Sequence, residues 1–150
     1  MNKAHHIFRF AAISFLVNTL PTATYVAAQE KVAPAQEQSE LAGDLLGTWV
    51  YVGEPGHAGE TPASGGRLKF ITGRHWTNTQ ADRDTGLTIY HHGGTHTLHG
   101  NEYVETVEYA NESTRELIKK TFKFAVTVEG DTLTMIGIGN PWKEVRKRLR

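Results

Sequence analysis

From Gly47 onward, short runs of apolar, β-branched and aromatic residues alternate with polar positions and are separated by turn-forming residues. Alternation with a period of two is typical of strands that have one buried face. Turn signals such as Glu129-Gly130-Asp131 separate consecutive runs, and no amphipathic stretch is long enough for the helix of a βαβ unit. The pattern therefore predicts about eight or nine antiparallel strands in a barrel or a sandwich. The runs cover 47–52, 67–71, 74–80, 87–90, 95–98, 102–110, 121–128, 132–137 and 142–149.

The densest group of polar side chains falls between Thr85 and Ala110, where four of the eight histidines of the chain occur. In the alternating run that follows the turn at 99–101, one face carries Tyr103, Glu105, Val107 and Tyr109. Because an aromatic and apolar face with a single carboxylate suits the wall of a binding cavity, we predict that this face points inward. The alternative is that Glu105 faces solvent and the opposite face packs in the core.

The histidines before that turn are harder to orient. Tyr90, His92 and His96 share a face if the strand continues regularly through Gly93-Gly94. A bulge at this glycine pair would add one residue and move His96 to the other face.

The N-terminus is typical of a secretory signal peptide. Lys3 and Arg9 supply positive charge, an apolar run covers 10–17, and Val26-Ala27-Ala28 offers small residues for cleavage. The apolar run is shorter than the roughly 20 residues that a membrane span needs. We therefore expect residues 1–28 to be removed and the protein to be exported, either to the periplasm or to the exterior, without a membrane span.

The remaining chain divides into a leader and one domain. Residues 29–40 are polar and without apolar period, which predicts a disordered leader. Residues 41–150 form a domain large enough for one core. Before its first strand, 39–46 favours a short helical turn, and the glycine- and proline-rich loop 53–66 is expected to flank the mouth of a barrel. The segment 111–120 fits either one helical turn or a polar connection.

Composition narrows the classes of function. The chain has no cysteine, which excludes disulfides and a lipid anchor on cysteine. Basic and acidic residues number 16 each, and removal of Lys3 and Arg9 with the signal peptide leaves a slightly acidic domain. A nucleic-acid partner is therefore not expected, and the basic end at 143–150 is interpreted as a solvated strand face.

Several segments together resemble the lipocalin-like (calycin) barrels, and in particular a group of small exported bacterial domains. Gly47-Thr48-Trp49 is similar to the opening of the first strand in that family, and 144–149 is similar to the closing strand. The similarity extends over 46–149 through the segments 74–76, 93–98, 103–110 and 128–133. Arg146 departs from the bacterial group, which more often carries tryptophan at that position.

The resemblance implies an all-β, antiparallel up-and-down barrel of about eight strands around a small-molecule cavity. It also implies that an arginine of the last strand packs over Trp49 and closes one end of the barrel, and we expect Arg148 in that role, with Arg146 second. A guanidinium over an indole ring is worth about 0.5–2 kcal/mol. The family as a whole includes carriers, inhibitors and some enzymes, so the fold alone does not specify a reaction.

Three hypotheses account for the histidine, glutamate and tyrosine residues. The first is an exported protein that binds a small polar or amphipathic molecule without cofactor or metal. The second is a small barrel enzyme (an isomerase, cyclase or hydrolase) in which a His/Glu pair performs acid–base chemistry. The third is a metal site at His92, His96 and Glu105, whose spacing matches no familiar metalloprotease motif. We prefer the first and expect these residues to line the pocket: His75, Trp76, His96, Tyr103, Glu105, Tyr109 and Phe124.

The sequence identifies neither the ligand nor the oligomeric state. It also leaves open whether the barrel performs catalysis and which of these histidines face inward: His91, His92, His96 and His99.

Overall fold

The computed structural model describes residues 37–62 and 66–150. The predicted signal peptide at 1–28 and most of the predicted leader at 29–40 lie outside the described residues. The last four residues of the leader, 37–40, are helical, and this helix (α1) continues to residue 45. The helix is therefore longer than the single turn that the sequence predicted over 39–46.

Eight strands follow α1 and form a closed barrel in which every strand pairs antiparallel with its neighbours in sequence. The barrel closes where the last strand pairs with the first, with Trp49 opposite Arg148. This confirms the predicted fold class. The strands are β1 (Gly47–Gly53), β2 (Leu68–Ile71), β3 (His75–Ala81), β4 (Thr88–His99), β5 (Glu102–Ala110), β6 (Thr121–Glu129), β7 (Thr132–Ile138) and β8 (Lys143–Leu149).

The runs at 87–90 and 95–98 belong to one long strand, β4 (Thr88–His99), so the alternative in which the second run continues the first is correct. The connection after β5 contains a 3-10 helix at Glu112–Leu117, so the helical alternative for this segment is correct. Thr114 of this helix is buried and donates a hydrogen bond to the carbonyl oxygen of His91 at 2.7 Å. The contact fixes the 3-10 helix against β4 at one end of the barrel.

The interior follows the alternation of each strand. Its apolar core combines buried side chains from six strands with Leu45 of α1. Burial of this apolar surface is the main favourable contribution to folding. The buried core residues are Leu45, Trp49, Ile71, Trp76, Tyr103, Val107, Phe124, Val126, Leu133 and Met135.

Helix α1 covers one end of the barrel. The indole nitrogen Nε1 of the buried Trp49 donates to the carbonyl oxygen of Leu45 at 2.9 Å. Arg148 lies over the same indole with its Cζ 4.1 Å from the ring centre, and it donates to the carbonyl oxygens of Leu46 (2.6 Å) and Asp44 (2.5 Å). These carbonyls lie at the C-terminal end of α1, where the helix leaves acceptors unsatisfied and a positive charge is favourable.

The loop after β1 packs partly against the outside of the barrel. Val50, Val52 and Val145 form a second buried apolar cluster there, and the backbone nitrogen of Gly59 donates to the carbonyl oxygen of Val52 at 2.7 Å. A Cβ at Gly66 would lie 2.7 Å from the side chain of Val50. The loop therefore covers this outer cluster and shields it from solvent, although the loop begins at the end of the barrel opposite α1.

The Gly93-Gly94 step faces an irregularity in β5, not in β4. Gly93 pairs with Tyr109 and Gly94 with Val107, so Glu108 is the extra residue. A Cβ on Gly94 would collide with the carbonyl oxygen of Thr106. The glycines therefore allow β5 to bulge toward β4, and β4 itself keeps a regular alternation through the step.

Candidate functional site

A small cavity lies inside the barrel near the end opposite α1. It offers about 40 Å³ to the centres of water molecules, enough for roughly three waters. Its rim includes Leu117 of the 3-10 helix and the half-exposed Trp142. We call this space the cup. It is lined by Arg67, Lys69, Trp76, Asn78, Tyr90, His92, Glu105, Leu117, Phe122, Phe124, Trp142 and Glu144.

A buried ion pair crosses the cup between β2 and β5. Lys69 and Glu105 are in direct contact, and their side chains are 1% and 4% exposed. Burial lowers the pKa of Lys69 and raises the pKa of Glu105, whereas the attraction between the two charges opposes both shifts. The ammonium also lies 4.6 Å from the ring centre of Trp76. A charge held this deeply depends strongly on its partner.

A second ion pair comes from β8. The Nε and Nη2 atoms of the fully buried Arg146 each lie 2.8 Å from Oε2 of Glu144, and Nη2 also donates to Asn78 at 3.2 Å. Burial alone would raise the pKa of Glu144, but the positive charges of Arg146, Lys69 and Arg67 and the hydrogen bond from Arg146 together outweigh this, and the pKa lies below its usual value. Among the described residues, Nη1 of Arg146 has no hydrogen-bond partner.

His92 forms part of the wall between these pairs. Its ring contacts the rings of Trp76 (centres 5.4 Å apart) and Tyr90 (4.8 Å), both edge to face. Burial, followed by the positive charges of Lys69 and Arg67, lowers the pKa of His92 from 6.5 to about 4. The imidazole is therefore neutral at pH 7. Its buried Nδ1 has no hydrogen-bond partner in the described part of the chain.

Arg67 stands at the mouth of the cup just before β2. Its guanidinium lies over the ring of Tyr90 at 4.4 Å and near that of Tyr51 at 5.6 Å. Its Nε donates to the amide oxygen of Gln80 at 3.4 Å. Across residues 37–62 and 66–150, no carboxylate lies within 4.0 Å of this guanidinium.

Three of the seven pocket residues expected from the sequence line the cup: Trp76, Glu105 and Phe124. Tyr103 is fully buried on the same face of β5 as Glu105, and burial raises its pKa well above 10. The structure thus places Tyr103, Glu105 and Val107 on the inner face of β5, as the alternation predicted. Whether these residues bind a ligand stays a prediction.

His96 faces inward but lies toward the end covered by α1. Its ring centre is 4.9 Å from that of Tyr103, and its Nε2 lies 2.8 Å from the carbonyl oxygen of Thr72. It borders a separate surface space together with Leu45 and Leu98. Glu105 contacts Lys69, and Nε2 of His96 lies against a carbonyl oxygen, so neither of these contacts joins the two residues. Acid–base chemistry by a His/Glu pair stays a prediction.

Two orientations predicted from the sequence were wrong. His75 is exposed at the start of β3, because the adjacent Trp76 takes the inner position. Tyr109 lies on the outer face, 44% exposed, with its ring 5.6 Å from that of His91. Its orientation is reversed because the extra residue, Glu108, shifts the alternation of β5 after Val107.

The sequence reasoning missed most of the charged residues of the cup. Arg148 was expected to pack over Trp49 and close one end of the barrel. Arg146 and Glu144 share the face of β8 that carries Arg148, so strand alternation offered a signal for both. In β2, the apolar Leu68 and Phe70 favoured the opposite face, and the alternation of this strand did not place Lys69 inside. The missed residues are Arg67, Lys69, Asn78, Tyr90, His92, Leu117, Phe122, Trp142 and Glu144 in the lining, with Arg146 beside them.

The described residues contain neither a metal-binding cluster nor a membrane-spanning helix. Within them, no group of three or more histidine, cysteine, aspartate or glutamate side chains is arranged to hold a metal ion. No helix in this part of the chain is both long enough and apolar enough to span a bilayer.

Comparison with known proteins supports the fold. No family model and no curated protein matches the sequence. A crystal structure of a lipocalin-like protein from Bacteroides uniformis is similar, with a TM-score of 0.52 and 16% identity, over 71% of this chain and 99% of that one. An uncharacterized protein from Bacteroides eggerthii is 11% identical over 69% of this chain and 98% of its own, with a TM-score of 0.48. The closed antiparallel barrel and this structural similarity identify the fold of the chain as lipocalin-like.

Proposed function

We propose that this chain is an exported lipocalin-like protein that binds a small polar molecule in the cup. The proposal rests on a buried polar atom in the wall of the cup that has no hydrogen-bond partner among the described residues. Nδ1 of His92 is buried in the wall of the cup and makes no hydrogen bond within the described residues. Leaving such an atom unsatisfied costs about 1–3 kcal/mol, and a bound ligand would recover part of this cost.

The size of the cup limits what it holds. With about 40 Å³ open to water centres, it accepts a compact group of a few heavy atoms. The remainder of a larger ligand would lie at the rim against Trp142 and Leu117. The ligand-binding set that we propose combines residues expected from the sequence with residues that the barrel brings beside them: Trp76, Glu105 and Phe124, with Arg67, Lys69, Asn78 and His92.

A thermal-shift screen against metabolites and lipids tests the proposal, because a ligand that binds the folded state raises the melting temperature. Hits are then measured by calorimetry with His92→Phe, which keeps a ring but removes Nδ1. The matched control is His91→Phe, which changes the adjacent histidine on the outer face of β4. We expect the affinity to fall in His92→Phe and to be unchanged in His91→Phe. A screen without hits, or equal affinities in both variants, contradicts binding in the cup.

Export is tested separately on the full-length chain. Cell fractionation followed by mass spectrometry of the purified protein should place it outside the cytoplasm, with an N-terminus near Gln29. Recovery of the chain in the cytoplasm with residues 1–28 intact would contradict export and would leave the binding proposal unaffected.

A further inference from the structure

The charges around the cup do not cancel. The positive side chains are Arg67, Lys69 and Arg146, and the carboxylates are Glu105 and Glu144. His92 adds no charge at neutral pH, because its pKa is about 4. The cup therefore carries one more positive charge than negative charge. In a site shielded from water, such an imbalance has a strong effect on which ligands bind.

Both carboxylates are already committed. Glu105 contacts Lys69, and Glu144 accepts a hydrogen bond of 2.8 Å from Nε of Arg146 and lies 2.8 Å from its Nη2. A cationic ligand would have to break one of these buried pairs, which is costly. The arrangement therefore disfavours a ligand with an amine or guanidinium group.

The surplus positive charge belongs to Arg67. Its guanidinium has no carboxylate within 4.0 Å among the described residues, and its contacts are two tyrosine rings and the amide of Gln80. Stacking on Tyr90 at 4.4 Å holds the guanidinium plane at the mouth. An arginine held in this way suits a planar, two-oxygen anion, because its parallel N–H groups match a carboxylate.

The wall beyond Arg67 is aromatic. Trp76, Tyr90 and His92 line one side of the cup and Phe122 and Phe124 line another, with Trp142 at the rim. Aromatic walls of this kind favour flat or apolar groups. A ligand with an acid group at one end and a flat apolar body would satisfy both parts of the site.

We propose that the cup selects compact organic carboxylates, with the acid group paired to Arg67 and the body against the aromatic wall. This inference rests on the proposed binding function and specifies its ligand class. It explains why the surplus charge stands at the mouth, where a ligand meets it first, while the deeper charges are paired.

Matched pairs of small molecules test this selectivity. Calorimetry at pH 7 and low ionic strength compares benzoate with benzamide and acetate with acetamide, since each pair differs mainly in charge. We expect each acid to bind roughly tenfold or more tightly than its amide, the scale of one hydrogen-bonded charge pair. Added salt should weaken the acids and leave the amides unchanged.

Variants at the mouth assign the effect to one residue. Arg67→Gln should reduce the affinity for benzoate to that for benzamide, whereas Arg67→Lys should retain only part of the preference, because it keeps the charge but not the paired N–H groups. Arg83→Gln removes an exposed arginine from the turn between β3 and β4 at the same end of the barrel, so it controls for overall charge. Benzoate affinity should be unchanged in that variant.

Equal affinities for acids and amides, an unchanged preference in Arg67→Gln, or no binding by any of the four molecules would overturn the carboxylate inference. These outcomes are distinct from a failure of the proposed function. A neutral or cationic hit from the broader screen that depends on His92 would support the binding proposal while contradicting this ligand class.

Discussion

The two ends of the barrel each place a cation against a tryptophan, with different results. At the end covered by α1, Arg148 lies 4.1 Å from the ring centre of Trp49 and donates to two backbone carbonyls. In the cup, Lys69 lies 4.6 Å from the ring centre of Trp76 and is balanced by Glu105. One cation is bound by two backbone carbonyls, with the carboxylate of Asp131 3.7 Å from its Nε, and the other depends on a single side chain.

This difference distinguishes an end of the barrel that the fold itself closes from a cavity that can bind a ligand. At the covered end, Arg148 uses carbonyl acceptors that the end of a helix always supplies, so this charge is satisfied within the fold. The cup relies on buried charges and leaves Nδ1 of His92 without a partner among the described residues. Its polar groups are costly for the free protein, and a ligand can offset that cost. We therefore expect substitutions in the two regions to differ in size and in their effect on binding.

The largest expected effect on stability comes from removing a negative charge of the cup, that of Glu105. Glu105→Leu leaves the ammonium of Lys69 buried without a counter-charge and should lower the free energy of unfolding by about 3–5 kcal/mol. The double variant with Lys69→Met removes both charges and should recover most of this loss. Urea denaturation at pH 7 measures both. Equal losses in the single and double variants would show that the ion pair is not the reason.

The next effect depends on pH and concerns His92. The folded pKa is about 4, whereas the unfolded chain has the ordinary value of 6.5. Between these values the unfolded state binds a proton that the folded state does not, so stability falls as the pH falls. Between pH 7 and pH 4.5 this should cost the wild type about 2–3 kcal/mol relative to His92→Phe.

Denaturation of both proteins at the two pH values gives this difference directly. His91→Phe serves as the control, because its ring lies on the outer face of β4. If the stability difference between wild type and His92→Phe is the same at pH 7 and pH 4.5, then the imidazole is not held neutral by burial.

A third prediction concerns the backbone that supports the wall of the cup. Gly94 stands between Trp76 and Val107 in the sheet, and a Cβ there would collide with the carbonyl oxygen of Thr106. Gly94→Ala should therefore lower stability by about 1–3 kcal/mol. Gly73→Ala is the matched control, since a Cβ there meets nothing within 4 Å. Similar melting temperatures for the two variants would contradict the tight approach of β4 and β5.

The smallest effect is expected at the covered end. Arg148→Gln removes the contact with Trp49 and weakens the bonds to the carbonyls of Leu46 and Asp44, which should cost about 1–2 kcal/mol. Because neither Arg148 nor Trp49 lines the cup, the affinity for a carboxylate should be unchanged in calorimetry. If Arg148→Gln is as stable as the wild type, the contribution of Arg148 to the covered end is contradicted. If it binds the carboxylate less tightly than the wild type, the two ends are not independent.

The fold was predictable from the sequence because period-two alternation and turn residues act locally. Gly47-Thr48-Trp49 and the last strand also indicated where the barrel closes. The orientation of side chains was predictable only while the alternation was regular. Tyr103 and Glu105 were placed correctly, but Glu108 is accommodated by a bulge that depends on the neighbouring Gly94. A single strand does not reveal the partner that permits an extra residue.

The charged interior was less predictable for a different reason. Lys69 alternates with the apolar Leu68 and Phe70, so a local reading of β2 places the lysine in water. Its burial depends on Glu105, which is 36 positions away and joins it only when the barrel closes. The local hydrophobic pattern predicts that a charged residue avoids the core, because burying a charge is costly. It does not reveal a distant residue of opposite charge that compensates this cost.

The pairing of β8 with β1 also constrains how the chain is made. Arg148 bonds to a carbonyl 102 positions earlier in the chain, so the barrel cannot close before the ribosome has synthesised its last strand. Contacts this distant in sequence form slowly, because the intervening chain must first be brought together. Nascent chains would therefore stay open during translation. The chain would remain unfolded until its synthesis is nearly complete, which is a condition that the export we propose requires.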